Sequence, residues 1–120
     1  MGNLASMVNT LTRIGVEARV DNEPNKILKA KKLILPGVGS FDTAIKKINR
    51  ITGLRKALEH KALEEEIPVL GICLGMQLLT ISSEEGTHNG LGWIKAETKK
   101  FNDINPLKVP HMGWNSASSI

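Results

Sequence analysis

The run Ile67-Pro68-Val69-Leu70-Gly71-Ile72 is almost wholly apolar and leads straight into Gly71-x-Cys73-x-Gly75. A run this short reads as a strand, and one that is apolar on both sides needs cover on both faces, as parallel strands have. Pro68 near its start is tolerable, because an N–H is dispensable there. Gly75 to Ile81 then reads as a helix. A buried strand, a tight glycine turn and a helix in succession make up half of a βαβ repeat, which excludes an all-helical or all-antiparallel fold.

The rest of the chain repeats this alternation. Leu4, Met7, Val8, Leu11 and Ile14 recur at helical spacing, with Asn3 as a plausible N-cap and Gly15 as a stop. Val16, Ala18 and Val20 alternate with charged residues and predict a short strand. Pro24 opens a brief helix carrying Ile27 and Leu28. Leu33-Ile34-Leu35 reads as a buried strand ended by Pro36 and Gly37. Ser40 caps a helix with Phe41, Ala44, Ile45 and Ile48 on one face. Leu54, Ala57, Leu58 and Ala62 mark another, whose outer face carries Arg55, Lys56, Glu59, Lys61 and Glu64. Beyond Gly90 come short strand-like pieces: Trp93-Ile94, Thr98 to Phe101 and Leu107 to Val109. Strands alternating with helices predict an α/β fold with a mainly parallel sheet. Its sites belong at the carboxyl ends of the strands, where Pro36-Gly37-Val38-Gly39 and the cysteine turn both fall.

Composition narrows the function classes. At 120 residues this is one domain, residues 1–120, with 41% hydrophobic and 23% charged residues, the balance of a globular protein. No run of about 18 apolar residues is present, so no membrane partner is expected. The N-terminal residues lack the pattern of a secretory signal. The single cysteine excludes an internal disulfide framework, and the default setting is cytoplasmic. The net charge is 16 − 12 = +4 and aromatics are only 3%, a poor fit to a nucleic-acid binder. Lys26, Lys29, Lys31 and Lys32 cluster locally and read as a solvated rim. His60 and His88 read as surface residues, and no metal-spaced cluster is found.

A lone cysteine is commonly a small core residue. The glycines two before and two after Cys73 point the other way. They are what a nucleophile elbow needs, because side chains there would collide in the sharp turn that projects the nucleophile into a cleft. The next helix aims its positive end at the sulfur. The N–H of Leu74, immediately after the cysteine, is placed to stabilise an oxyanion.

The wording of four segments is more specific. Gly71-Ile72-Cys73-Leu74-Gly75-Met76-Gln77-Leu78-Leu79 resembles the nucleophile segment of the class I (triad) glutamine amidotransferases, and Leu35-Pro36-Gly37-Val38-Gly39-Ser40-Phe41 resembles their oxyanion loop. Ser82-Ser83-Glu84-Glu85-Gly86 and Lys108-Val109-Pro110-His111-Met112-Gly113-Trp114-Asn115 look like the glutaminase subunits of imidazole glycerol phosphate synthase, from histidine biosynthesis. Met1-Gly2-Asn3-Leu4 is similar to the end of that family's first loop.

The resemblance implies a flavodoxin-like sheet with flanking helices and a glutaminase that passes ammonia to a cyclase subunit in a heterodimer, with no metal or organic cofactor. It implies Cys73 as nucleophile, Leu74, Gly37 and Val38 around the oxyanion, and Gly39, Gln77 and Glu85 at the substrate glutamine. The alternative for Gln77 is a surface polar residue of its helix, with the substrate contact the preferred reading, whereas for Glu85 the two readings stand even. The partner interface implied is Asn3, His111, Met112 and Trp114. Helix capping explains Asn3 as well, and a core anchor explains Trp114 as well. His111 does not match the family's catalytic base.

The family pattern also has a buried strand ahead of the Met-Gly-Asn-Leu loop and a His–Glu pair in a C-terminal segment, and these 120 residues contain neither. The expectation is therefore a partial amidotransferase domain with little glutaminase activity by itself. The competing readings are a non-catalytic module docking on a synthase, an ammonia supplier for amino-sugar synthesis, and an unrelated cysteine hydrolase.

Overall fold

A computed structural model describes residues 4–102, 109–110, 112–116 and 118. Helix α1 (Leu4–Arg13) forms where the apolar periodicity predicts it, yet none of its residues is buried. The expected cap, Asn3, lies outside the described residues. The strand expected at Val16 to Val20 is not formed. Val16 and Val20 are 46% and 61% exposed, and the segment has no ladder partner among the described residues. Alternation alone does not make a strand; its N–H and C=O groups need a neighbour to pair with.

Pro24 opens α2 (Pro24–Ile27), which buries Ile27. Strand β1 (Leu33–Gly37) and strand β2 (Val69–Cys73) pair in parallel, in the register Leu33↔Val69, Leu35↔Gly71 and Gly37↔Cys73. Between them run α3 (Phe41–Arg50) and α4 (Leu54–Glu59), the latter continuing into a π-helical turn (His60–Glu64). Ser40 caps α3, its hydroxyl accepting the Thr43 N–H at 3.5 Å. After β2 come α5 (Leu74–Leu79), β3 (Ser82–Ser83) and β4 (Glu97–Thr98); β3 and β4 form a second small parallel pair. The crossover between parallel strands is the α/β arrangement expected.

The core has two joined parts. Phe41 and Ile45 of α3 pack with Leu74, Leu78 and Leu79 of α5 and with Leu91. Ile27, Leu33, Leu54, Ala57 and Leu58 make the second cluster. Leu35, Ile48, Val69 and Trp93 touch both. Phe41 is fully buried, and burying a side chain of that size stabilises the fold by about 2–3 kcal/mol.

Further expectations need correction. Both faces of β2 were expected to be covered, but Leu70 and Ile72 are 54% and 38% exposed. Helices α2 to α5 all pack on the Leu33–Leu35–Val69 side, and α1 buries nothing against the other. Lys61, assigned to a solvated face, is buried and ion-paired with Glu65. Position 61 lies seven residues after Leu54 and four after Ala57, the spacing of one helical face, so its side chain follows these buried residues to the inner side. Trp93-Ile94 forms no strand, because the Trp93 ring bridges the two clusters instead. Of the piece Thr98 to Phe101 only Thr98 is in β4, and Leu107 and Lys108 lie outside the described residues.

Candidate active site

Cys73 is the last residue of β2, and α5 starts at the next residue. Its backbone sits at φ 55°, ψ −121°, a region L-residues rarely adopt. Such a conformation costs on the order of 1–3 kcal/mol and persists only where the surroundings impose it. Here they do. A Cβ on Gly71 would lie 2.6 Å from Met76 Cα, and one on Gly75 would lie 1.6 Å from the Leu35 carbonyl oxygen. The helix therefore folds back against both strands at contact distance, and only glycine fits at either place. The same geometry leaves Cys73 exposed rather than sealed in the core.

The strand register places the second glycine turn beside the first. Gly37 is the ladder partner of Cys73, and a Cβ on Gly37 would lie 2.9 Å from Leu74 Cβ and 3.0 Å from the Gly75 nitrogen. Beyond it Val38 is 59% exposed and Gly39 takes φ +101°. Leu74 is buried, which anchors the first turn of α5. Cys73, Leu74, Gly37, Val38 and Gly39 are thus gathered at the carboxyl edge of the sheet. A thiol flanked by main-chain segments of this kind is equipped for acyl transfer: a nucleophile beside N–H groups that can hold developing negative charge.

Gln77, one helical turn past the elbow, and Glu85 are linked through a residue that sequence reasoning missed. The buried Ser83 hydroxyl donates to Gln77 Oε1 at 3.2 Å and accepts the Glu85 N–H at 3.2 Å. Thr80, also buried, places its hydroxyl 2.7 Å from the Gln77 carbonyl oxygen and 3.3 Å from the Thr98 hydroxyl. Main-chain bonds Gly90 N–H to Ile81 O, Leu91 N–H to Leu78 O and Glu84 N–H to Thr98 O stitch residues 78–98 around the end of α5.

Asp42 was missed as well. Its Oδ1 accepts the N–H of Thr87 at 2.9 Å and of His88 at 3.0 Å, and its Oδ2 accepts the Thr87 hydroxyl at 3.0 Å. The His88 ring adds a nitrogen 3.3 Å from Oδ1. These donors, led by the His88 N–H, hold the Asp42 carboxyl down from 3.8 to about 2. An acid in the first turn of a helix is expected on dipole grounds alone, which hid this second role. For Ser83 the signal was a serine pair just beyond a helix end, where hydroxyls take turn hydrogen bonds.

The remaining candidates fall elsewhere. His60 is paired with Glu64 and Glu65 on the outer side of the π turn. Met112 and Trp114 are exposed, Trp114 fully, so Trp114 anchors no core among the described residues. Asn3 and His111 lie outside the described residues. Among the described residues no three His, Cys, Asp or Glu are placed to hold a metal ion, and no helix is long and apolar enough to cross a membrane.

Fold and site together define an α/β protein with an exposed cysteine on a strained strand–helix elbow beside a proline–glycine turn. The sequence pattern of one family, described as "Glutamine amidotransferase class-I", matches residues 2–119. The chain belongs to the class I glutamine amidotransferase family. It is 53% identical over 115 residues to an "Imidazole glycerol phosphate synthase subunit HisH 2" of Methanococcus maripaludis, covering 96% of this chain and 56% of that protein. It is 43% identical over 118 residues to a protein of the same name from Pseudomonas aeruginosa, covering 98% and 58%. A solved structure titled "Crystal structure of glutamine amidotransferase" superposes with a TM-score of 0.69 at 24% identity, covering 82% of this chain and 52% of that one, which shows the shared fold. The chain spans 56–58% of the length of these two curated relatives.

Proposed function

We propose that this chain is part of the glutaminase subunit of an imidazole glycerol phosphate synthase. It would be a partial amidotransferase domain that acts in the cytoplasm and supplies ammonia to a cyclase subunit in histidine biosynthesis. The observation that carries the reading is the exposed Cys73 at positive φ with Gly37 as its ladder partner. The names of the relatives support the pathway, and the alternatives have no comparable support.

The chemistry follows from the arrangement. Cys73 Sγ attacks the side-chain amide carbon of glutamine, and the carbonyl oxygen becomes an oxyanion facing the Leu74 N–H and the Gly37–Val38 turn. Collapse of this intermediate breaks the C–N bond. The nitrogen leaves as ammonia once protonated, and Cys73 keeps a glutamyl thioester. Water then attacks the thioester, releasing glutamate and the thiol. Gln77 and Glu85 lie toward the substrate, with Gly39 in the adjoining turn. The resemblance assigns the base to a histidine and its partner glutamate that these 120 residues do not contain. Met112 and Trp114, exposed, and Asn3 and His111 belong to the cyclase contact in this reading.

The test is glutamate release from glutamine, measured for a full-length subunit that contains these residues with the histidine and glutamate and is combined with the cyclase subunit. Cys73→Ala should abolish it. Turnover that survives the substitution rules the reading out.

A further inference from the structure

The loop that carries Glu85 is fastened to the rest of the molecule at two points. One is Ser83, tied to Gln77 of α5. The other is Asp42, forty-five residues away in sequence, whose carboxylate takes three hydrogen bonds from Thr87 and His88. Asp42 stands in the first turn of α3, directly after the Gly37–Gly39 turn and the Ser40 cap. Gly86, between Glu85 and Thr87, fits only because it has no side chain: a Cβ there would lie 2.3 Å from Asp42 Oδ1 and 2.8 Å from Phe41 Cδ1. The loop is therefore pressed onto the start of α3. Phe41, the neighbour of Asp42, is wholly buried, so the anchor itself cannot drift.

We propose that Asp42 is a positioning residue for substrate recognition: its carboxylate locks the 84–88 loop to the helix that follows the oxyanion turn. Glu85 and the oxyanion donors are thereby held at one spacing. This rests on the reading of Cys73 and Glu85 as a glutamine site. Asp42 touches no reacting atom. It fixes the distance between two parts that do, and hydrogen bonds to a charged acceptor are the strong kind suited to that task. Both main-chain amides it takes belong to residues just past Glu85, so releasing them frees the loop locally and leaves the elbow held by its own glycine contacts.

The experiment uses two alkylating agents on the protein assembled with the cyclase subunit. The first is the chloromethyl ketone analogue of glutamine, in which Cys73 sulfur displaces chloride to form a C–S bond. The second is chloroacetamide, which reads thiol reactivity without an amino-acid recognition group. Labelling at Cys73 is followed by intact mass against reagent concentration. For Asp42→Ala the half-saturating concentration of the ketone should rise about tenfold, with the limiting rate and the chloroacetamide rate within about twofold of the parent. Asp42→Asn, which keeps an oxygen for the two amides but loses the charge, should rise about threefold.

The outcomes separate cleanly. If the parent protein shows no saturation with the ketone, the glutamine-site reading fails. If the parent saturates and both variants saturate at the parent's concentration, the positioning role is overturned. If chloroacetamide slows as much as the ketone, Asp42 merely supports the fold and the proposal is again overturned. Should Asp42→Ala not fold, Asp42→Asn decides between the same results.

Discussion

The segment from Phe41 to Leu91 and the segment from Leu4 to Val20 contain amphipathic patterns of similar quality, and they end up differently. In the first, Phe41, Ile45, Leu74, Leu78, Leu79 and Leu91 disappear into one cluster. In the second, α1 forms its helix but buries no residue, and Ile14 and Val20 stay 69% and 61% exposed. Local periodicity determines whether a helix can form, whereas burial requires a second surface of matching shape. The elbow region has one, because β1, β2 and α5 interlock through glycines at 37, 71 and 75. Strain at Cys73 is sustained only in the region whose packing can hold it.

This contrast can be broken or sharpened by substitution. The largest effect is expected in turnover. On the proposed reading, Cys73→Ala in a full-length subunit that supplies the histidine and glutamate and is combined with the cyclase should lower glutamate release on the order of 10⁴-fold or more, with circular dichroism unchanged, because the side chain lies outside the core. Gly75→Ala should come next. With backbone 1.6 Å from the new methyl group, α5 must leave β1, and the loss in urea unfolding should be at least about 3 kcal/mol. Phe41→Ala should cost about 3–5 kcal/mol in the same assay through the cavity it leaves.

Acid titration probes the loop anchor. The folded Asp42 carboxyl, held at about 2, lies below its ordinary 3.8, so the folded state binds this proton less readily than the unfolded chain. The resulting stability is fully present above about pH 4 and is lost as the pH falls through 2. Asp42→Asn should flatten the acid limb of a stability–pH curve, whereas an unchanged limb would deny the carboxylate its role. The smallest effect is expected at the N-terminal side. Ile14→Ser should change stability by less than about 0.5 kcal/mol, since the side chain is already mostly solvated. A loss several times larger would show that α1 has a packing partner and that the two regions are alike after all.

The parts that could be read from sequence are those governed by neighbours along the chain. The helix at Phe41–Arg50 with its Ser40 cap, the strand into Cys73 and the glycine requirement at 71 and 75 all follow from local sterics and periodicity. What escaped is set by distant partners. Val16 to Val20 carries a strand pattern but finds no ladder. Trp93 looked like part of a strand and instead closes the seam between two clusters. Lys61 shares the helical face of Leu54 and Ala57, and its charge hid a buried position that the Glu65 pairing makes tenable. Asp42 and Ser83 are ordinary residues in their own turns, and their importance lies in bonds to Thr87, His88, Gln77 and Glu85.

The pairing of Gly37 with Cys73 sets unequal tolerances for change in chain length. Residues added to the exposed turn at Thr52 and Gly53, between α3 and α4, lengthen the crossover and leave the sulfur where it is. Deleting a single residue within Val69–Ile72 turns every later side chain of that strand to the opposite side. The thiol would then stand on the reverse of the ribbon, out of reach of Gly37 and Val38. Homologues should therefore differ in length at the Thr52–Gly53 turn and keep the count of residues in the strand.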